Sequence, residues 1–143
     1  MKVVLDTNVL ISGTILNHGP SYEILEAWRS GRFLLITSES LIQEAQEKLL
    51  EPRIRETYHL SRGMIQGVLT ALRKHSRRVP GTLSLQVIVE DPDDDQVIIA
   101  AVEGSVDYII SGDPHLRDLG AYQGIKILPP AEFARLLETE PQP

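Results

Sequence analysis

Short runs rich in Val, Ile and Leu recur along this chain, and none alternates regularly with polar residues. They are Val3–Leu5, Phe33–Ile36, Leu85–Val89, Tyr108–Ile110 and Ile125–Leu128. Strands of this composition are covered on both faces. Longer helix-periodic segments lie between them, and that alternation predicts a parallel sheet flanked by helices. The helix starts are readable. Ser21 after Pro20 caps a helix to about Ser30, ended by Gly31. Ser38 caps Glu39–Leu50, where Leu41, Ala45, Lys48 and Leu49 share a face and Pro52 ends the run. Ser61 starts a helix to about Arg78, stopped by Val79-Pro80-Gly81. One of Asp93, Asp94 and Asp95 caps a helix running to Gly104, and Pro129-Pro130 opens a last helix over Ala131–Leu137.

At 143 residues the chain is long enough to bury a core without staples, and it predicts a single domain over residues 1–138 with a frayed tail at 139–143. It has no cysteine, which excludes disulfides, thiolate metal sites and a cysteine nucleophile. The longest apolar run is Val97–Val102, far short of the ~20 residues of a membrane span. Asp6 and Asn8 interrupt what a signal peptide needs to keep apolar, so a cytoplasmic setting is expected. The net charge of −6 gives no prior for nucleic-acid binding, so the arrangement of charge must carry any such reading. That arrangement is uneven. Seven of the fourteen basic residues lie between Arg53 and Arg78, opposed in that window by Glu56 alone. From Glu90 to Asp113 there are eight acidic residues and no basic one. Arg53, Arg55, Arg73, Lys74, Arg77 and Arg78 are therefore candidates for phosphate contact.

In open parallel sheets ligands bind at the carboxyl ends of the strands. Asp6 directly follows the first apolar run, Asp113 follows Tyr108–Ile110, and the Asp91–Asp95 cluster follows Leu85–Val89. Three separate segments thus bring acids to one sheet edge. Glu44, one position before the apolar Ala45 in the helix after Phe33–Ile36, is the fourth candidate. Gathering these acids costs several kcal/mol of like-charge repulsion unless a cation screens them. An all-oxygen cluster suits Mg²⁺ or Mn²⁺. Waters on such an ion provide a route to phosphodiester hydrolysis. Asn8 is placed to orient such a water or to contact phosphate, while Thr7 and Ser111 are placed to hydrogen-bond neighbouring carboxylates and fix their rotamers.

The segments V-L-D-T-N-V-L-I-S-G, E-A-Q-E-K-L-L-E-P-R-I, D-P-D-D-D-Q-V-I-I-A-A-V and Y-I-I-S-G-D-P-H-L, in this order from Lys2 to Leu137, resemble the PIN-domain family, in the branch of toxin components of bacterial toxin–antitoxin pairs. The resemblance implies a three-layer α/β/α fold with a mostly parallel four- or five-stranded sheet. It implies a Mg²⁺- or Mn²⁺-dependent endoribonuclease acting on single-stranded RNA. Carried over by motif, its acids are Asp6, Glu44, Asp94 and Asp113, with Asn8 as a polar helper. The D-x-D-D-D stretch leaves Asp91 and Asp95 as alternatives to Asp94, and Ser111 stands where the family usually has threonine. A small antitoxin partner is implied, and a homodimer, for which apolar helix faces around Trp28 are a candidate surface.

Plainer readings stand beside these. Asp6 can be a helix N-cap, and Asp91, Asp93 and Asp95 can be turn and cap residues. Asp118 and His115 read as surface residues. A non-catalytic scaffold on the same fold is one alternative. Another Mg²⁺-dependent phosphoryl-transfer domain is a second, but it needs a lysine at a late strand end, and Lys126 lies inside a strand.

Overall fold

A computed structural model describes residues 1–85 and 92–139, with all their side chains except those of residues 92–94. The first half runs β1 (Lys2–Leu5), α1 (Thr7–Ile15), α2 (Pro20–Arg29), β2 (Leu34–Ser38), α3 (Glu39–Leu50), α4 (Pro52–Thr57), α5 (Arg62–Lys74) and β3 (Arg77–Val79). The second runs α6 (Pro92–Gly104), β4 (Tyr108–Ile110), α7 (Pro114–Leu119), β5 (Ala121–Tyr122), β6 (Ile125–Leu128) and α8 (Pro130–Thr139). The strands form one sheet in the order β3-β2-β1-β4-β6-β5. Every pairing is parallel except that of β5 with β6.

Neighbouring residues of the central strands face opposite sides. Val3, Leu5, Leu35 and Ile110 pack under α1, α2, α3, α5 and α8, with Trp28, Ile65, Leu72 and Phe133. Val4, Ile36, Ile109 and Ile127 pack under α6 and α7, with Ile98, Ala101 and Leu116. Both faces are buried, which is why these strands carry no polar alternation. The result is the expected α/β/α sandwich, with six strands rather than four or five.

The additional strands explain the difference. β3 joins the edge of β2, pairing Ile36 with Arg77 and Ser38 with Val79. Its two arginines are exposed, and edge strands commonly carry charge of this kind. The helix begun at Ser61 therefore stops at Lys74, not near Arg78. β5 and β6 are joined by a two-residue turn at Gln123 and Gly124, with φ of 49° and 82°. Both positions are left-handed, as the hairpin turn that matches strand twist requires. Of the expected strand Leu85–Val89, residues 86–89 lie outside the described residues, and Leu85 is not in a strand.

Caps decide several boundaries. Ser38 Oγ accepts the Leu41 N–H at 3.3 Å, and Ser61 Oγ accepts that of Met64 at 3.1 Å. α2 begins one residue before the expected Ser21, with Pro20 in the first turn and Gly19 at φ 92° as its cap. Glu103 of α6 accepts the N–H groups of Gly81, Thr82 and Leu83 at 2.5–3.0 Å and so ties the segment after β3 to that helix. Partial burial pushes its pKa up, but the three N–H donors outweigh this and hold it below the usual glutamate value.

The chain crosses from β1 through α1 and α2 to β2 on one side of β1, and later enters β4 on the other. The reversal places a crevice over the carboxyl end of β1. The position of α1 over that crevice depends on Gly13. A Cβ there would lie 2.7 Å from Leu25 Cδ1 and 2.7 Å from the Ser21 carbonyl oxygen. The second contact is with backbone, so α2 itself would have to move. Gly13→Ala is expected to cost about 2–3 kcal/mol, measured by chemical denaturation; an unchanged midpoint would contradict this packing.

Candidate active site at the carboxyl ends of the strands

Asp6 is the residue just past β1. It occupies the N-cap position of α1, yet its side chain makes no capping hydrogen bond. The carboxylate instead accepts a 2.6 Å hydrogen bond from the Ser111 hydroxyl, through Oδ2. Ser111 follows β4, the strand beside β1, and is fully buried. Its oxygen also accepts the Asp113 N–H at 3.0 Å. A single hydroxyl thus joins the acid after β1 to the acid after β4. Asp113 does cap α7, accepting the His115 N–H at 2.8 Å through Oδ1. Asp113 therefore caps its helix through its side chain, and Asp6 does not.

The third arm comes from α3. Thr7, fully buried at the start of α1, donates from Oγ1 to Glu44 Oε2 at 3.0 Å. Lys48, one turn further along α3, lies 3.1 Å from Glu44 Oε1 and donates to Asn8 Oδ1 at 3.1 Å. Glu44 is thereby held toward α1 by a hydroxyl on one oxygen and an ammonium on the other. Beside it opens a polar pocket of about 210 Å³, lined by Ser40, Gln43, Glu44, Glu47 and Gln96. Gln96 belongs to α6, so the pocket brings the start of that helix next to Glu44. The side chain of Asp94 lies outside the described residues, as does Asp91 entirely; Asp95 is buried. A larger cavity of about 470 Å³, lined by Trp28, Phe33, Leu34 and His75, opens where β2 begins, away from these acids.

The electrostatics of Asp6 reflect this crowding. The residue is only 5% exposed. Burial pushes its pKa above the ordinary carboxylate value, and the negative charges of Glu44 and Asp113 push it further. The Ser111 hydrogen bond and the positive charge of Lys48 act the other way without cancelling the rise. Asp6 therefore feels two acids carried by other parts of the fold, Glu44 on α3 and Asp113 after β4.

The donors present are oxygens, the chemistry of a hard divalent ion. Among the described residues no three acids or histidines are drawn together into a ligand cage. Asp6 and Asp113, at the ends of adjacent strands, offer two carboxylates, the number that an ion such as Mg²⁺ takes while keeping its waters.

A profile of the PIN domain matches residues 2–115, the stretch that carries Asp6, Glu44 and Asp113. The chain belongs to the PIN-domain family. An uncharacterized protein of Methanocaldococcus jannaschii is 33% identical over 146 residues, spanning 96% of this chain and 92% of its own length. PIN domains are generally nucleases, and divalent metals generally serve them. In this PIN domain Asp6 and Asp113 stand at the ends of adjacent strands, and Glu44 reaches toward α1 from α3.

The basic residues are dispersed. Arg53 and Arg55 sit on α4, beyond the carboxyl end of α3; Arg73 and Lys74 end α5; Arg77 and Arg78 lie on β3. Glu39, at the amino end of α3, accepts from Arg73 at 2.8 Å and from Arg78 at 3.4 Å. The twelve residues of α3 separate the two groups by about 18 Å. Glu56 is thus not the sole acid opposing the basic run, because Glu39 reaches it from another element. His115 and Asp118 are exposed. Trp28 is 7% exposed and donates from Nε1 to the His75 carbonyl oxygen at 3.1 Å.

Lys48 is the residue of this site that the sequence reading passed over. Its placement on an apolar helix face masked it. The available signal was its spacing from Glu44, since residues four apart on a helix meet.

Proposed function

We propose that this chain is a Mg²⁺- or Mn²⁺-dependent endoribonuclease that hydrolyses single-stranded RNA, acting in the cytoplasm as the toxin of a toxin–antitoxin pair. The observation that carries the catalytic reading is the Asp6–Ser111–Asp113 chain at adjacent strand ends, with Asp6 buried, held off its helix terminus and destabilised by two neighbouring acids. The family supports a nuclease. The choice of RNA, the toxin role, an antitoxin partner and a homodimer rest on the motif resemblance.

In this reading Asp6 and Asp113 hold the ion, and Asp94, near the start of α6, is the further acid. When bound, the ion supplies an acidified water and neutralises charge on the scissile phosphate. Ser111 keeps Asp6 in one rotamer by its hydrogen bond. Thr7 does the same for Glu44, whose carboxylate orients the attacking water. Asn8 is exposed at the first turn of α1 and presents its amide to phosphate or water. Arg77 and Lys74, both exposed, offer contacts to the RNA backbone, while Arg73 and Arg78 have Glu39 to leave first.

The test is cleavage of an end-labelled pool of single-stranded RNA by the full chain with Mg²⁺, Mn²⁺ or EDTA, and with a duplex control. Cleavage with either ion, none with EDTA and little on the duplex are expected. Cleavage that persists in EDTA, or none on any single strand, would contradict the proposal.

A further inference from the structure

Lys48 places a positive charge inside the acidic crevice. Its ammonium lies 3.1 Å from both Glu44 Oε1 and Asn8 Oδ1, linking α3 to α1. Its side chain is 32% exposed, so it reaches the acids from the rim of the cleft. The other Glu44 oxygen is taken by Thr7. At the strand ends, Asp6 is bonded through Oδ2 and Asp113 through Oδ1. Asp6 Oδ1 and Asp113 Oδ2 accept no hydrogen bond among the described residues. Glu44 thus already meets a cation, while the two strand-end acids present open carboxylate oxygens.

Nucleases with two metal ions hold them about 3.5–4 Å apart between shared acids. A fixed ammonium at Glu44 opposes a second dication there, because like charges at such separations repel strongly. We propose that Lys48 is a resident counter-cation that takes the place of a second metal ion, so that the cleft holds a single divalent ion at Asp6 and Asp113. That ion together with Lys48 then offsets three of the four negative charges of Asp6, Glu44, Asp94 and Asp113. This inference rests on the divalent-ion nuclease reading given above.

The experiment counts bound Mn²⁺ per chain by the loss of the free-ion electron paramagnetic resonance signal during titration. It compares the parent with Lys48→Met, Lys48→Gln and Lys48→Arg. Melting curves in EDTA identify which variants remain folded. One Mn²⁺ per chain is expected in the parent and in Lys48→Arg. Two are expected in the neutral variants, because Glu44 and Asn8 are then open to an ion. Two ions in the parent, or one in folded Lys48→Met and Lys48→Gln, would overturn the role of Lys48 while leaving the nuclease reading intact. No Mn²⁺ uptake by the parent or any variant would overturn the metal-dependent reading, and the Lys48 proposal with it.

Discussion

Asp6→Asn is expected to lower RNA cleavage by about 10³-fold or more and, in EDTA, to raise the melting temperature. The two effects share a cause. Asp6 is buried beside Glu44 and Asp113, and its folded-state pKa stands above its ordinary value of 3.8. Between the unfolded and folded pKa values the native state holds more protons than the unfolded one. Stability therefore falls as pH rises through that window, and the penalty persists at neutral pH. Asparagine keeps an acceptor for the Ser111 hydroxyl and removes the charge. A gain of about 1 kcal/mol in the metal-free protein, a few degrees in melting temperature, is expected at neutral pH. The gain should vanish below pH 3.8, where the parent carboxylate is protonated in both states. Saturating Mn²⁺ should reverse the order, since ligand binding stabilises the parent and no longer the variant. A variant that cleaves like the parent, or is less stable in EDTA at neutral pH, would count against this description of Asp6.

Phe133→Ala is expected to cost about 3–5 kcal/mol, or roughly 10–15 °C in melting temperature. Phe133 lies on α8, beyond the stretch that the family profile matches. It is fully buried, with its ring 5.5 Å from that of Phe33 and 5.9 Å from that of Tyr108. Those partners come from the segment leading into β2 and from β4, so truncation opens a cavity under the centre of the sheet. If residues 1–138 form one cooperative domain, far-ultraviolet dichroism and tryptophan fluorescence from Trp28 will report one shared transition, shifted as a whole. Two separate transitions, or a loss below 1 kcal/mol, would contradict that unit and the place of α8 in it.

The elements that were legible in the sequence are those whose own composition decides them. Val3-Val4-Leu5 and Tyr108-Ile109-Ile110 are buried on both faces, and their register places Leu5 beside Ile110. That register is what puts Asp6 and Ser111, each just past its strand, within hydrogen-bond reach. Ser38 and Ser61 announced their helices because their hydroxyls satisfy first-turn N–H groups. β3 was hidden because Arg77 and Arg78 carry no strand signal of their own; pairing with β2 decides their conformation. β5 was hidden because two residues are too few for any period.

Charge was harder to read than burial. A window of sequence showed arginines from Arg53 to Arg78 with one opposing glutamate, but the fold carries Glu39 to Arg73 and Arg78. Pairing across 34 and 39 residues leaves no local trace. The same applies to Lys48, whose partner Asn8 is 40 residues away. Trp28 likewise packs with α5 and bonds the backbone at His75, partners that lie far along the chain.

The most direct measurement is calorimetric titration of Mn²⁺ into the parent, Asp6→Asn and Asp113→Asn, each shown to be folded. Saturable uptake by the parent, weakened at least about tenfold by either substitution, is the result this account predicts. Equal affinity in all three would mean that the acids after β1 and β4 do not form the metal centre.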